Sequence, residues 1–451
     1  MSESPVSSVR NNLEVITEAL NTGEMKRAAS LLNAFHPAEI ALLLESLPQS
    51  KRFFIWNMLD HDESGEILLY VGDEVRSSLI NIMDQEQLVA ATEGLELDDL
   101  ADLLSDLPLA VTDTALNNLD SSDRQRLKSV LSYDEDTAGG LMNTDIVTVR
   151  KDITLDVVMR YIRLRKNLPE YTDSLIVVDR YQHYIGTLRL TDIVTHDPSM
   201  LVGDLMEDNV EPINVSESAA DVAHTFETLD LISAPVIDGQ HKLLGRITID
   251  DVVDVIREEG EHSVMSMAGL SEDEDLFAPV TKSARRRALW LGINMMTAFL
   301  AAWVISLFQS TLEELILLAV LIPVVASMGG IAGSQTLTLV IRGLALKQVG
   351  QANSLVLLTR ELGIGILNGL VWALVVAVIA ILWFRDIELG AIIGLAMTAN
   401  LICAGVAGVV IPLTLRRYGI DPALAGGVIL TTITDVVGIF AFLSLANWLI
   451  V

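Results

Sequence analysis

Cysteine is almost absent: Cys403 stands alone inside an apolar run. That count excludes a disulfide framework and a cysteine metal cluster. Histidine is scarce, with seven residues and no HExxH spacing, so a zinc hydrolase site has no ligand set to draw on. No GxxxxGK(S/T) phosphate loop occurs, which argues against an ATP-driven pump. The first residues show neither a basic start nor an apolar stretch, and no cleavable signal peptide is expected. Basic residues are in deficit, 30 Lys and Arg against 60 Asp and Glu, for a formal charge of −30. A surface of that sign repels phosphate backbones, so no nucleic-acid partner is expected.

The chain nevertheless has 51% hydrophobic residues and a mean hydropathy of +0.45. Charge and hydropathy separate along it. Of the charged residues, 53 acids and 21 bases lie before Ala284, a balance of −32, while the rest carry 7 acids and 9 bases. A single soluble domain is ruled out, and the length of 451 residues already calls for two or more.

From Ala288 onward, apolar runs cover Ala288–Phe308, Leu315–Ile341, Leu362–Phe384, Leu389–Leu415 and Val428–Val451. Each meets the roughly 20 residues needed to cross a bilayer core, which predicts five spans. Arg285, Arg286, Arg287, Arg342, Lys347, Arg360, Arg416 and Arg417 fall on one side, with Arg385 on the other. The basic side is expected to be cytoplasmic, which places the N-terminal half inside and the C-terminus outside.

Small residues recur four apart at Gly329/Gly333, Gly365/Gly369 and Gly390/Gly394, a spacing that lets helices approach closely in lipid. The last two pairs read as packing. In the second run Pro323 and then Met328–Gln335 predict an interruption, with Gly329, Gly330 and Gly333 lining a pore. Asp435 lies in the fifth run, within Thr431-Thr-Ile-Thr-Asp435. A carboxylate there costs about 2.5–3.5 kcal/mol and calls for water, a cation or a partner. Thr431 and Thr432 offer hydroxyls to a hydrated ion. Glu361 and Asp421 read as solvated residues at span edges.

Two internal repeats organise the acidic half. Ala38–Pro48 recurs as Asp98–Pro108, with leucines at helical spacing closed by Pro. Such units predict short amphipathic helices stacked as a superhelix. The second repeat is α/β: Gly186-Thr-Leu-Arg-Leu-Thr-Asp-Ile-Val194 returns as Gly245-Arg-Ile-Thr-Ile-Asp-Asp-Val-Val253, each copy reading strand, helix, strand, turn, strand, helix. These copies resemble a pair of CBS domains, a fold that often binds adenine nucleotides. After them Asp251, Asp254, Glu258 and Glu261 are spaced 3-4-3, which puts four carboxylates on one helix face. Asp98 and Asp102 form a similar pair. With so large an acidic excess, both groups read as cation sites able to bridge repelling surfaces.

A leucine-rich helical domain, two CBS copies, an acidic connecting helix and five spans closely resemble the MgtE family of magnesium channels. Ala138-Gly-Gly-Leu-Met142, Pro323 with Gly329–Gln335, Asp421-Pro-Ala423 and Thr431–Gly438 carry the resemblance, which covers almost the entire chain. It implies a multidomain membrane protein: an all-α superhelical domain over 1–134, an α/β tandem CBS pair over 135–256, an acidic connecting helix over 257–284 and an α-helical five-span pore domain over 285–451. It implies a homodimer in a bacterial inner membrane, with one ion path between protomers and hydrated magnesium at the position of Asp435. Regulatory magnesium would close the pore at positions matching Glu66, Asp98, Asp102, Asp230, Asp251, Asp254 and Glu259, with Glu258 on the same acidic helix. ATP in the CBS pair would contact Thr191 and Asp192. The sequence departs from the family pattern at Ile331 and Ser334, where members often carry Asn, at Gly427, and at His262 and Ser263, where an acidic pair can occur. These departures bear on selectivity and on the magnesium threshold.

The expected function is thus a magnesium channel, not an enzyme, that imports Mg2+ down its electrochemical gradient and is closed by cytoplasmic Mg2+. Two other readings stay open: a proton-coupled secondary transporter of Co2+ or Mn2+, and a membrane-anchored CBS nucleotide sensor. An anchor needs neither a broken span nor Asp435.

Overall fold

The leucine repeats fold as short helices because each presents one apolar face and ends at its own punctuation. The computed structural model describes residues 15–16, 24–59, 64–165, 167–271, 274–350 and 352–449. Helices α1 (Met25–Leu32), α2 (Pro37–Glu45), α3 (Gln49–Trp56), α4 (Ser64–Tyr70), α5 (Asp73–Ile80), α6 (Gln85–Ala91), α7 (Leu97–Ser105), α8 (Leu109–Asn118) and α9 (Ser121–Val130) follow in order. The repeated segments become α2 and α7. Capping boxes at His36 and Asp84 start α2 and α6, and the Asp120 carboxylate accepts from Ser122 and Asp123 N–H at the start of α9. Leu44, Ile55, Trp56, Leu68, Leu79 and Leu103 fill the core between them.

The α/β repeat forms two matching sheets. The first half holds β1 (Thr148–Arg150), α10 (Leu155–Arg165), β2 (Ser174–Val178), β3 (Tyr184–Arg189) and α11 (Leu190–Thr195). The second holds α12 (Val202–Leu205), β4 (Ile213–Asn214), α13 (Ala219–Leu229), β5 (Ser233–Ile237), β6 (Leu243–Thr248) and α14 (Ile249–Met267). In each sheet the central strand runs parallel to the first and antiparallel to the third, with an irregularity at the equivalent step, Val177/Val178 and Val236/Ile237. Gly186 and Gly245 occupy the same register. A Cβ on Gly186 would lie 2.5 Å from the Glu207 carbonyl, and one on Gly245 2.7 Å from the Asn143 carbonyl. Both glycines therefore admit the strand-like segment of the other half, which pairs as the bridges Thr187–Glu207 and Asn143–Arg246.

Among the described residues, five helices are long and apolar enough to cross a membrane: α15 (Val280–Ser306), α17 (Leu317–Ala345), α18 (Ser354–Phe384), α19 (Ile387–Arg417) and α20 (Pro422–Leu449), with the short α16 (Gln309–Glu314) after the first. The fifth was expected to reach Val451, but residues 450 and 451 lie outside the described residues. The chain divides into two compact units, 1–260 with 273–279 and 261–272 with 280–451.

Two expectations are corrected. The second span is not interrupted: α17 runs continuously through Pro323 and the glycine run. Pro323 lies within its first two turns, where little helix precedes the lost hydrogen bond. Gly329 and Gly333 are buried against other helices, so their lack of a side chain serves packing instead of unwinding. The connector over 257–284 is not one helix either. Its helix α14 begins back at Ile249, ends at Met267, and a new helix begins at Val280. Gly269 takes φ +71°, its N–H bonds to Ser266 O, and Leu270 N–H bonds to Met265 O. This pair of bonds closes a helix in the left-handed manner that glycine favours. Pro279 then precedes the next helix, a residue that disfavours helix just before itself.

Candidate functional site

The membrane helices pack through small residues. Gly365 and Gly369 of α18 lie against Leu401 and Thr398 of α19, and Gly390 and Gly394 of α19 against Ile381, Ala377 and Ala373 of α18. On α20, Leu430, Thr434 and Gly438 form a buried stripe four residues apart. Asp435 lies about 100° round the helix from Thr434, on a half-buried flank shared with Thr431 and Thr432. It is the fourteenth residue of the helix's 28, so it sits at mid-span, deeper than expected because the helix starts at Pro422. Its carboxylate makes no hydrogen bond among the described residues.

Around Asp435 the expected partners divide. Thr431 Oγ1 donates to Gly427 O at 3.0 Å and Thr432 Oγ1 to Val428 O at 2.7 Å, which leaves their oxygen lone pairs as acceptors for water. Gly330 is half-buried and lies near the Thr431 methyl, 3.9 Å from the place of a Cβ. Gly329 and Gly333, expected to line a pore, instead pack on Asn400 and Leu430. A Cβ on Gly427 would meet nothing within 4 Å.

Two polar residues lie buried inside this bundle, one read from the sequence as solvated and one passed over. Glu361 is 6% exposed, and Thr336 Oγ1 of α17 donates to its Oε2 at 3.0 Å. The expectation that Glu361 is a solvated edge residue is therefore overturned. Gly405 and Gly408 of α19 explain it, because they let the Glu361 backbone and the Thr336 side chain close onto that helix. Asn400 of α19 is fully buried and donates from Nδ2 to Val325 O at 2.8 Å. Asp421 caps α20, accepting from Ala423 N–H at 2.9 Å, and lies 3.3 Å from His262 Nε2.

The acidic half holds a second concentration of charge. Glu96, Asp98, Asp99 and Asp102 open α7, while Asp250 and Asp251 open α14. Asn143 Nδ2 donates to Glu96 Oε2 at 2.6 Å and to Asp98 Oδ1 at 3.2 Å, and Thr248 Oγ1 donates to Asp251 Oδ2 at 3.3 Å. Burial, with Glu96 and Asp250 nearby, raises Asp98 to about 6. Burial and then the Asp98 charge raise Asp99 to about 7. Asp102 has an open edge, yet the surrounding chain and then Asp98 and Asp99 hold it at about 7. Asp251 is raised well above its ordinary value by burial and by Asp98 and Asp250. The structure thus brings Asp98, Asp102 and Asp251 into one field, with Glu66 contributing through Asp99. Among the described residues, however, no three acidic, histidine or cysteine side chains converge closely enough to hold a metal ion.

The remaining expected ligands lie outside that field. Asp230 is exposed at the left-handed end of α13, where Leu231 N–H closes on Phe226 O. Asp254 is exposed and pairs with Arg257 at 3.2 Å, and Glu258 and Glu259 are exposed on the same helix. Thr191 and Asp192 sit on α11, where Asp192 lies 3.8 Å from His196 Nδ1.

The architecture is that of a multidomain, multi-pass membrane protein. The sequence profile of MgtE, described as a divalent cation transporter, matches residues 322–445. The MgtE intracellular N domain matches 35–136, and the CBS domain matches 138–198 and 202–258. The magnesium transporter MgtE of Enterococcus faecalis is 30% identical over 327 residues, 72% of each chain. That of Thermus thermophilus is 28% identical over 440 residues, 96% of this chain and 98% of the relative. A solved structure, the cytosolic domain of the Mg2+ channel MgtE in complex with ATP, is 28% identical and covers 54% of this chain and 99% of that one, at a TM-score of 0.48. The chain belongs to the MgtE family of divalent cation transporters.

Proposed function

We propose that this protein conducts Mg2+ across a bacterial inner membrane, down its electrochemical gradient and without covalent chemistry, with Asp435 as the cation's carboxylate. The observation that carries this reading is an acid at mid-span that is half-buried and has no hydrogen-bond partner among the described residues. Leaving a carboxylate unpaired at that depth is costly unless water or a cation meets it. Magnesium sheds its hydration shell reluctantly, so one carboxylate with threonine oxygens beside a wet cavity suits it better than a closed cage. The ion path is completed by a second copy of the chain, with the N-terminal half cytoplasmic, as the basic loop residues favour.

Cytoplasmic Mg2+ closes the path by binding the acids of α7 and α14. Carboxylates whose pKa values are raised by burial and then by one another are a donor set for a hard cation. Their spacing forms no closed ligand set, so a cation has to draw them together, which is the movement a switch requires. Asp98, Asp102 and Asp251 are the primary ligands in this reading; Glu66, Asp230, Asp254, Glu258 and Glu259 are secondary. ATP at Thr191 and Asp192 rests on their place in the CBS motif.

The test is Mg2+ flux into proteoliposomes. Flux that vanishes in Asp435→Ala, and falls at high cytoplasmic Mg2+ in the unaltered protein, supports both parts. Flux coupled stoichiometrically to protons transfers the reading to a secondary transporter. No divalent flux under any condition leaves the nucleotide-sensor reading ahead.

A further inference from the structure

Asn400 is a buried polar residue of the membrane unit that the proposed path does not use. It is fully buried, and its Oδ1 has no hydrogen-bond partner among the described residues. An uncompensated amide oxygen in such a place is normally selected against unless geometry repays it. Here the amide is wedged between two backbones. A Cβ built on Gly329 of α17 would lie 2.7 Å from Asn400 Cγ and 2.9 Å from Oδ1. One built on Gly438 of α20 would lie 2.7 Å and 3.1 Å from the same atoms. At both glycines the amide atom nearest that place is Nδ2, so the bare Cα–H groups give the NH2 end room to reach its acceptor. Nδ2 meanwhile holds Val325 O, one turn before Gly329.

We propose that Asn400 is a positioning residue for the ion path: its amide, bonded to Val325 and seated between Gly329 and Gly438, fixes the turn of α20 that carries Asp435. This role rests on the transport reading above. Gly438 lies three residues beyond Asp435 on the same helix, so displacement at Gly438 is transmitted within one turn to the carboxylate. Close-packed helices do not absorb such a shift locally. Any side chain at Gly438 must move the helix or the amide by most of an ångström, since carbons rest at about 3.5–4.0 Å.

The experiment is Mg2+ flux, per monodisperse folded protein, for the unaltered chain, Asn400→Ala, Gly438→Ala and the double variant. Asn400→Ala introduces no overlap and keeps a folded sample available even where Gly438→Ala does not assemble. Each single variant is expected to raise the half-saturating Mg2+ concentration about tenfold, as loss of a positioned contact does. The double variant is expected to stay near the Asn400→Ala value instead of adding the two effects, because removing the amide relieves the overlap at 438 but the bond to Val325 O is gone; contacting residues couple in this way. Single variants that lower thermal stability or yield while the folded fraction keeps its half-saturation overturn the role and make Asn400 a packing residue alone. An unaltered protein that carries no divalent cation overturns the transport reading, and this role with it.

Discussion

Arg52 and Asp275 form an enclosed two-pronged ion pair across 223 residues of sequence, with guanidinium to carboxylate distances of 2.9 and 3.1 Å. Their side chains are 1% and 6% exposed. The guanidinium also donates to Leu44 O and Leu47 O at the end of α2, and Asp275 accepts from Phe277 N–H. Each guanidinium nitrogen and both carboxylate oxygens thereby have a partner, as a buried pair requires. Asp275 lies in the stretch between α14 and α15, so the helical domain grips the chain five residues before Val280.

Arg52→Met is expected to destabilise the first unit by about 3–5 kcal/mol, because Asp275 is left charged and enclosed. Arg52→Lys is expected to recover only part, since an ammonium lacks the fork that meets both oxygens. Thermal unfolding of the full chain, with limited proteolysis near 275, measures both.

The α7 and α14 acids make stability depend on pH in a fixed direction. Asp98 stands at about 6 and Asp99 and Asp102 at about 7, against an ordinary 3.8. Acids raised by folding bind more protons in the native state, so their contribution is complete below the ordinary value and is lost as pH rises to about 7. Thermal midpoints without divalent cation are expected to fall between about pH 4 and pH 7. Added Mg2+ is expected to restore more at the upper end, with proton release on binding. A midpoint that rises with pH in the absence of cation contradicts this account.

Thr336→Val removes the hydroxyl that holds Glu361 and is expected to cost about 1–3 kcal/mol, the range for a buried polar group left unpaired. In a Glu361→Leu background the same substitution is expected to cost much less, since the partner is already gone. Thermal inactivation in detergent reads the coupling.

Gly269→Ala places a methyl 3.0 Å from the Trp290 ring at a φ of +71°. The left-handed conformation alone is expected to cost about 1–2 kcal/mol. Faster hydrogen exchange over Met265–Leu270 is the local signature, because the two closing bonds of α14 are lost.

Much of this was legible in one sequence. Apolar length marked the five spans, and internal repetition marked the two matched sheets, because both signals are carried by many residues at once. Single-residue environments were less legible. Glu361 looked like an edge residue, and its burial depends on Gly405 and Gly408 from a helix some forty residues on. Gly329 and Gly333 looked like a break, but glycine signals close approach as readily as unwinding, and only Asn400 and Leu430 decide between them. The end of α14 was readable: Gly269 and Pro279 are ordinary stop and restart signals. Asn400 could have been flagged as an amide within an apolar run, although its partners could not.

Two polar bonds inside the bundle end on α17: Asn400 of α19 on the Val325 carbonyl, and Glu361 of α18 on the Thr336 hydroxyl. Ribosomal synthesis delivers α17 before either. Alone in lipid, α18 would carry an acid and α19 an amide with nothing to satisfy them. The first helix of the three therefore carries both partners, and the order of the helices along the chain matches the order in which these groups can be received.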